Sequence, residues 1–449
     1  MQVCIIGTGY VGLVTGTCFA ELGHHVICVD NDATKIDRLL AGEMPIYEPG
    51  LRELVSTNLQ RKRLRFTTDL HEAARSQATF YFIAVGTPRN ADDGGANLEY
   101  VFAAAEEAAK SIHRHGNAFS VFVTKSTVPV GTNREVSRIV GRHLASDTFA
   151  VASNPEFMRE GCAIEDFMAP DRIVVGSNSE RARALLEELY RPLTRQGRPL
   201  VATTTVETAE MIKYASNTFL ATKITFINEL ARLCEKIGAD VEELALGMGL
   251  DKRIGDKFLN AGPGFGGSCF PKDLAALIKT AKDFRSPIEI VETVARVNIR
   301  HQAMMLDKVR DAFGSTLSKK KIAILGLAFK AGTDDVRDSP ALALVSALRR
   351  EGASIRAYDP EAMENARKIL GNEAIGYTVS VAEAVRGCEG AILATEWGEF
   401  RKTNWNDLAP TMTKALLVDL RNVFTLQEAA ALGVDYISLG RDPVLRSAN

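Results

Sequence analysis

Gln2-Val3-Cys4-Ile5-Ile6-Gly7-Thr8-Gly9-Tyr10-Val11-Gly12 opens the chain, and its reading decides the fold. An apolar, strand-like run leads into G-x-G-x-x-G, and a helix-length segment continues to about residue 22. A second strand-like run, Val26-Ile27-Cys28-Val29, ends at Asp30. The glycine pattern alone is a weak signal. With a strand before it, a helix after it and an acidic residue closing the next strand, it becomes a dinucleotide-binding βαβ unit. Gly7 permits the tight turn, Gly9 lets backbone approach a pyrophosphate, and Gly12 lets the helix pack close to the strand. The helix N-terminus favours the negative charge. Asp30 can accept hydrogen bonds from ribose hydroxyls and would repel a 2′-phosphate, which favours NAD over NADP. Lys35 stands close enough in sequence to blur that preference.

Outward from this unit the alternation continues. Strand-like runs at 80–85, 119–124, 149–152 and 173–176 are rich in Val, Ile and Phe, with helical segments at 32–41 and 98–114 among them. Buried strands separated by helices predict a parallel sheet covered on both faces, over residues 1–200. Residues Val206 through Ile237 then run without Gly or Pro, which predicts one long helix. A short helix near 241–246, a glycine-dense loop from 247 to 273 and a helix over 288–312 complete a central segment, 201–315. Near 319 the alternation resumes, with strands at 321–325, 354–358, 390–395, 415–419 and 434–439, giving a second α/β domain over 316–449. The predicted fold is α/β, two Rossmann-like doubly wound domains joined by a long central helix. Such a helix cannot bury itself within one sheet layer and is suited to pairing with a second subunit.

Composition narrows the function. The 449 residues carry 54 Lys and Arg against 56 Asp and Glu, a net charge of −2, so the basic excess of a nucleic-acid binder is missing. The basic runs Arg61-Lys62-Arg63 and Lys319-Lys320-Lys321 read as solvated surface. No apolar run reaches the length of a membrane span, and the N-terminus lacks the pattern of a signal peptide. Seven cysteines at 4, 18, 28, 162, 234, 269 and 388 form no C-x-x-C pair. Neither a disulfide framework nor a structural zinc is expected, the histidines show no ligand spacing, and a reducing cytoplasm fits.

The second chemical signal is Gly262-Pro263-Gly264-Phe265-Gly266-Gly267-Ser268-Cys269-Phe270-Pro271-Lys272-Asp273. A loop this rich in glycine offers a ligand close access to backbone N–H groups. A cysteine beside a helix start and a lysine is expected to ionise readily, which makes Cys269 a candidate nucleophile. The other six cysteines read as small buried hydrophobes. A dinucleotide site with a reactive thiol suggests oxidation of an aldehyde or alcohol: thiohemiacetal, hydride transfer, thioester, hydrolysis. Lys213 and Asn217 share a face of the long helix. Lys213 could be buried to stabilise an oxyanion, or could snorkel at the surface. Glu156 and Glu160, in Asn154-Pro155-Glu156-Phe157-Met158-Arg159-Glu160-Gly161, could be helix-start charges, acid–base groups or sugar ligands. Val85-Gly86-Thr87-Pro88 and Lys125-Ser126-Thr127-Val128-Pro129 follow strand ends, the edge at which open α/β sheets bind ligands.

In order and in content these motifs resemble those of the UDP-glucose/GDP-mannose dehydrogenase family. The resemblance spans nearly the whole chain. It rests on residues 7–12, 125–129, 154–161, Lys213-Tyr214-Ala215-Ser216-Asn217, residues 264–273, and Gly326-Leu327-Ala328-Phe329-Lys330 with Arg337. It implies a four-electron oxidation of UDP-glucose to UDP-glucuronate using two NAD, or the same chemistry on GDP-mannose or a UDP-N-acetyl-hexosamine. It implies that Cys269 is the nucleophile, that Asp273 works with a water in proton transfer, and that Lys213 stabilises the oxyanion. Thr127, Asn217 and Glu160 then order the water and the reacting end of the sugar. NAD is implied to rest on Gly7, Gly9, Tyr10, Val11, Gly12, Asp30, Lys35, Thr87, Thr127, Glu160, Lys272 and Arg337. The UDP-sugar is implied to rest on Glu156, Phe157, Glu160, Lys213, Asn217, Arg253, Phe258, Leu259, Asn260, Gly262, Gly266, Phe329, Lys330 and Arg421. The single glycine of 326–330 suggests that the C-terminal half takes a nucleotide sugar and not a second dinucleotide. Two departures stand out: Leu274, where Thr is commoner in the family, and Lys35, where some members carry Arg. A nucleotide-binding regulatory or structural protein is the rival class, and Cys269, Lys213 and Asp273 together argue against it. A homodimer or higher homo-oligomer is expected, with no nucleic-acid or membrane partner.

Overall fold

A computed structural model of the chain describes residues 1–90, 95–116, 119–314 and 316–446. These form two units, residues 1–216 with 279–285, and residues 217–278 with 286–449.

The first unit is built on eight strands: β1 (Gln2–Ile6), β2 (His25–Val29), β3 (Leu64–Thr67), β4 (Phe80–Ile83), β5 (Ser120–Thr124), β6 (Phe149–Ser153), β7 (Ile173–Gly176) and β8 (Leu200–Thr203). Their order is β3-β2-β1-β4-β5-β6-β7-β8. β1 lies between β2 and β4, both parallel to it, so the strand order reverses there and the glycine turn issues from that switch point. The two-residue period of β1 sends Val3 and Ile5 into one apolar cluster and Cys4 and Ile6 into another, on opposite faces of the sheet. Both faces being covered is what lets these strands be almost wholly apolar.

Two features depart from a uniformly parallel reading. β7 runs antiparallel to β6, because the chain turns back at the edge where β6 ends, and β8 then pairs parallel with β7. β3 is half polar, and β8, Leu200-Val201-Ala202-Thr203, is apolar but only four residues long. They are the edge strands, Arg65 of β3 points to solvent, and β8 is largely exposed.

The second unit carries β9 (Lys321–Leu325), β10 (Ser354–Tyr358), β11 (Ile375–Tyr377), β12 (Gly390–Leu393), β13 (Leu416–Asp419) and β14 (Asp435–Ser438). All are parallel, in the order β11-β10-β9-β12-β13-β14, again with a switch point beside the first strand. The long helix is one uninterrupted element, Val206–Ile237. Its residues up to 216 belong to the first unit and the remainder to the second, so the central segment is shared between them. Along its second-unit part Phe219, Phe226, Leu233 and Ile237 are exposed. Among the described residues no helix is long and apolar enough to cross a membrane.

All seven cysteines are free thiols. Cys162 is exposed, against the buried reading, because it follows the Asn154–Gly161 loop and immediately precedes helix Ala163–Met168 instead of lying within an apolar element.

Candidate active site

The glycine turn has the room its motif demands. A Cβ on Gly12 would lie 1.9 Å from the Gly7 carbonyl oxygen, so only glycine lets the helix approach this closely, whereas a Cβ on Gly9 would meet nothing within 4 Å. Gly9 is therefore the open side of the turn, where a pyrophosphate fits. Asp30 is buried at the end of β2. It accepts from the Thr8 N–H and hydroxyl, both at 2.8 Å, and from Lys35 Nζ at 2.9 Å. Burial pushes its carboxyl up, but these donors outweigh burial and hold it below the usual carboxylate range. The Tyr10 hydroxyl is bonded to Glu48 and accepts from the Gly161 N–H at 2.7 Å, while Glu48 also accepts from that N–H at 2.8 Å. Tyr10 thus ties the start of the first helix to the end of the loop that carries Glu156 and Glu160. Thr87 donates to the Thr127 carbonyl at 3.1 Å, which joins the two strand-end loops. Val11 is half-buried on the same helix. An open glycine, a helix N-terminus and a strand-end carboxylate together fit a dinucleotide.

Lys213 is buried, not snorkelling. Only 4% of it is exposed, and its ammonium meets Glu156 at 2.8 Å. Burial raises Glu156, but the Lys213 charge and hydrogen bond, the Met158 N–H and Lys125 together bring it below the usual carboxylate range. Glu156 is thus the ion-pair partner of Lys213, a role outside those its sequence suggested. Lys125 is a second buried cation nearby. It donates to Asn154 Oδ1 at 3.1 Å, and burial lowers it to about 8. Phe157 lies beneath the Arg172 guanidinium, 3.6 Å from the ring centroid, with Lys213 at 5.3 Å. One turn before Lys213, Glu210 accepts from the Gly131 and Asn133 N–H groups at 2.8 and 3.1 Å, which docks the long helix onto the loop after Thr127. Burial raises Glu210 to about 7.

The remaining expected residues lie in the second unit. Cys269 is half-buried and directly precedes helix Phe270–Asp283, its carbonyl accepting from the Asp273 N–H at 2.8 Å. Asp273 is fully buried and accepts from Asn217 at 2.6 Å and Lys272 at 2.7 Å. Asn217, Lys272 and Asp273 are therefore one hydrogen-bonded group, with Asp273 one helical turn after Cys269. Arg421 donates to the Ala394 and Phe329 carbonyls at 3.0 and 2.7 Å, and its guanidinium lies 3.5 Å from where a Gly262 Cβ would be. Lys330 sits over the Phe329 ring at 5.8 Å. Phe258 adopts a positive φ of 64° and its ring packs against Phe270. Leu259 is buried and Asn260 exposed. Arg253 and Arg337 are exposed, paired with Asp251 and Asp335.

Two glycines of the loop answer to packing within the chain. A Cβ on Gly266 would lie 2.1 Å from the Asp338 carbonyl oxygen, and one on Gly267 would lie 2.7 Å from the Phe329 ring. The N–H groups of Gly262, Phe265 and Gly267 are spent on Asn228, Asn298 and the Arg337 carbonyl. At 266 and 267 the residue is small because protein packs against it, and these three N–H donors are engaged within the chain. Asn228, Asn298, His301 and Gln302, which hold this loop, escaped sequence reading, as did Glu48 and Glu210. Each bonds a segment remote in sequence, and its only signal is a polar residue on an otherwise apolar helix or loop.

The second sheet repeats the first with its acceptor closed. Asp359, at the end of β10, accepts from the Leu327 and Ala328 N–H groups at 2.7 and 3.0 Å, as Asp30 accepts from Thr8. Here Trp397 Nε1 caps the same oxygen at 3.1 Å, and 1% of the residue is exposed. That carboxylate is not open to a ribose, which accounts physically for a second half unsuited to a dinucleotide.

The open glycine turn of the first unit and the thiol at a helix start in the second are each features of a dinucleotide-dependent dehydrogenase that works through a thiol. Comparison with known proteins carries this further: residues 1–194, 207–300 and 323–426 match the NAD binding, central and UDP binding domains of the UDP-glucose/GDP-mannose dehydrogenase family, and the chain belongs to that family. The UDP-glucose 6-dehydrogenase of Rhizobium meliloti is 52% identical over 443 residues, 98% of this chain and 100% of its own. A UDP-glucose dehydrogenase structure from Pyrobaculum islandicum superposes with a TM-score of 0.88 at 38% identity, covering 97% of this chain and 96% of that one. A UDP-D-ManNAc dehydrogenase from Pyrococcus horikoshii has a TM-score of 0.84 at 28% identity, over 98% of this chain and 99% of that one.

Proposed function

We propose that this chain oxidises the C6 alcohol of UDP-glucose to the carboxylate of UDP-glucuronate, with two NAD per sugar, through covalent intermediates on Cys269. NAD, when bound, supplies the acceptor for each hydride. In the first oxidation a proton leaves the C6 hydroxyl as hydride leaves carbon, giving the aldehyde. The Cys269 sulfur then adds to C6, and the carbonyl oxygen becomes the thiohemiacetal oxygen. Loss of a second hydride re-forms the carbonyl as a thioester. Water adds, the C–S bond breaks, and the thiol and carboxylate are released. Lys213, the buried cation, stabilises the oxyanion, and Asp273 handles the proton through a water ordered with Asn217, Thr127 and Glu160. The UDP group rests on Arg253, the 258–266 loop, Phe329, Lys330 and Arg421. Lys272 and Arg337 contribute to the NAD contacts.

The single observation that carries this reading is the thiol before helix Phe270–Asp283, with a fully buried Asp273 fixed by Asn217 and Lys272 beside it. An active homodimer or higher homo-oligomer in the cytoplasm completes the proposal. The exposed Phe219, Phe226 and Leu233, seven residues apart along one helix, support self-association, and seven free thiols suit a reducing compartment.

The test counts NADH formed per sugar consumed. Two NADH per UDP-glucose, with little from GDP-mannose or UDP-N-acetyl-hexosamines, is the expected result, and Cys269→Ala should make no acid while still binding both ligands. One NADH per sugar, or full turnover by Cys269→Ala, would overturn the covalent route. Two NADH from a different sugar nucleotide would move the substrate and keep the chemistry.

A further inference from the structure

The glycine loop before Cys269 is gripped from one side by two helices. Asn298, in helix Glu289–Phe313 and buried, accepts from the Phe265 N–H at 2.9 Å and donates to the Phe265 carbonyl at 3.0 Å. One side-chain amide thereby satisfies both backbone groups of one residue and fixes its dihedral angles. Gln302, one turn on, donates to the same carbonyl at 2.9 Å. Three residues earlier in the loop, the Gly262 N–H donates to Asn228 Oδ1 at 2.8 Å, and the Gly262 carbonyl lies 2.7 Å from His301 Nε2. The other imidazole nitrogen, Nδ1, lies 2.7 Å from the Arg232 guanidinium. A guanidinium only donates, so Nδ1 is the acceptor, Nε2 carries the hydrogen, and the ring is neutral with its tautomer fixed. Arg232 also donates to the Asn228 carbonyl, which closes the chain of contacts.

We propose that Asn298 and His301 are positioning residues for the proposed nucleophile: they lock the loop backbone at Phe265 and Gly262 so that Cys269 is presented at its working position. The inference rests on the covalent reading of Cys269 and deepens it. The loop is the immediate lead-in to the thiol, and beyond Phe265 its next anchor is the Gly267 N–H on the Arg337 carbonyl at 2.9 Å. A shift of about 1 Å in such a lead-in costs on the order of 100-fold in rate. The charged groups acting on His301 are Arg232 and Glu235 of the long helix; Lys308, on its own helix, is held by Glu235 at 2.7 Å. Burial lowers His301 to about 4, with Arg232 adding to the effect and the Gly262 carbonyl and Glu235 opposing it. A proton on Nδ1 would face the guanidinium, so acid should break the Arg232 contact that holds the ring while Nε2 still donates to the Gly262 carbonyl.

The test uses the full chain and four variants, Asn298→Ala, His301→Leu, His301→Gln and Cys269→Ala. It measures kcat, KM for UDP-glucose, NAD affinity, thermal midpoint, and the rate at which iodoacetamide alkylates Cys269, with Cys269→Ala supplying the background. Asn298→Ala and His301→Leu should fold, bind NAD as the parent does, lose about 10- to 100-fold in kcat, and change the alkylation rate severalfold. Glutamine can accept from Arg232 and donate to Gly262, so His301→Gln should recover most of kcat. Folded Asn298→Ala and His301→Leu with parental kcat and alkylation rate would overturn the clamp, as would His301→Gln behaving like His301→Leu. Either result with an inactive Cys269→Ala leaves the nucleophile standing. Full turnover by Cys269→Ala instead refutes the nucleophile and, with it, the clamp's role in catalysis.

Discussion

Lys213 and Glu156 show what a single residue's surroundings decide. Both are more than nine-tenths buried and 2.8 Å apart, so removing either takes away the other's hydrogen-bonded opposite charge. Lys213→Met and Glu156→Gln should each cost about 3–5 kcal/mol of stability, and the double variant markedly less than their sum. A double-mutant cycle in urea measures this. The pH dependence has a definite sign. Glu156 sits below its unfolded value in the folded chain, so its stabilisation is present above the usual carboxylate range and is lost as pH falls through the lowered value. Glu156→Gln should accordingly flatten the loss of stability below about pH 4.5. Little of this was legible beforehand. Asp30 could be read because a strand end and a glycine turn give it a fixed address. The burial of Lys213 depends on Glu156, 57 positions away, and nothing in the apolar residues around Lys213 names that partner.

At the scale of elements, the long helix was legible to its ends because no Gly or Pro interrupts Val206–Ile237. The central strands were legible because burial on both faces makes them continuously apolar. β3, β8 and β11 were not, since a short edge strand with a polar or exposed face looks like a loop. The 262–273 loop was recognisable as functional, but its glycines were read as room for a ligand when two of them are room for Asp338 and Phe329. That difference is testable. Gly266→Ala would force a methyl group to 2.1 Å from a backbone oxygen, where only the loop itself can yield. It should lower stability by about 1–3 kcal/mol and reduce kcat by about 100-fold, while NAD binding is kept. Parental kinetics in that variant would show that the loop moves freely.

For the whole molecule, two sheets of the same design do different work because of a few atoms at the end of one strand in each. The division into two α/β halves followed from alternating strands and helices. That the long helix joins them was also legible, but the residue at which it passes from one unit to the other was not, since periodicity says how long a helix is but not which neighbour each turn packs against. The exposed Phe219, Phe226 and Leu233 belong to this scale too. If they seat a second copy, light scattering on the eluted protein gives at least twice the chain mass, and Phe226→Lys shifts it toward the monomer; an unshifted monomer in the parent would sink that assembly. The tryptophan that seals Asp359 has a practical consequence. The chain holds two tryptophans, Trp397 and Trp405, and both belong to the second unit, one capping the carboxylate and the other in the core. Intrinsic emission excited at the red edge of the protein band is therefore a built-in optical label for one half of the molecule. The other half can melt in silence, and a thermal scan followed by this light alone would time only half of the event.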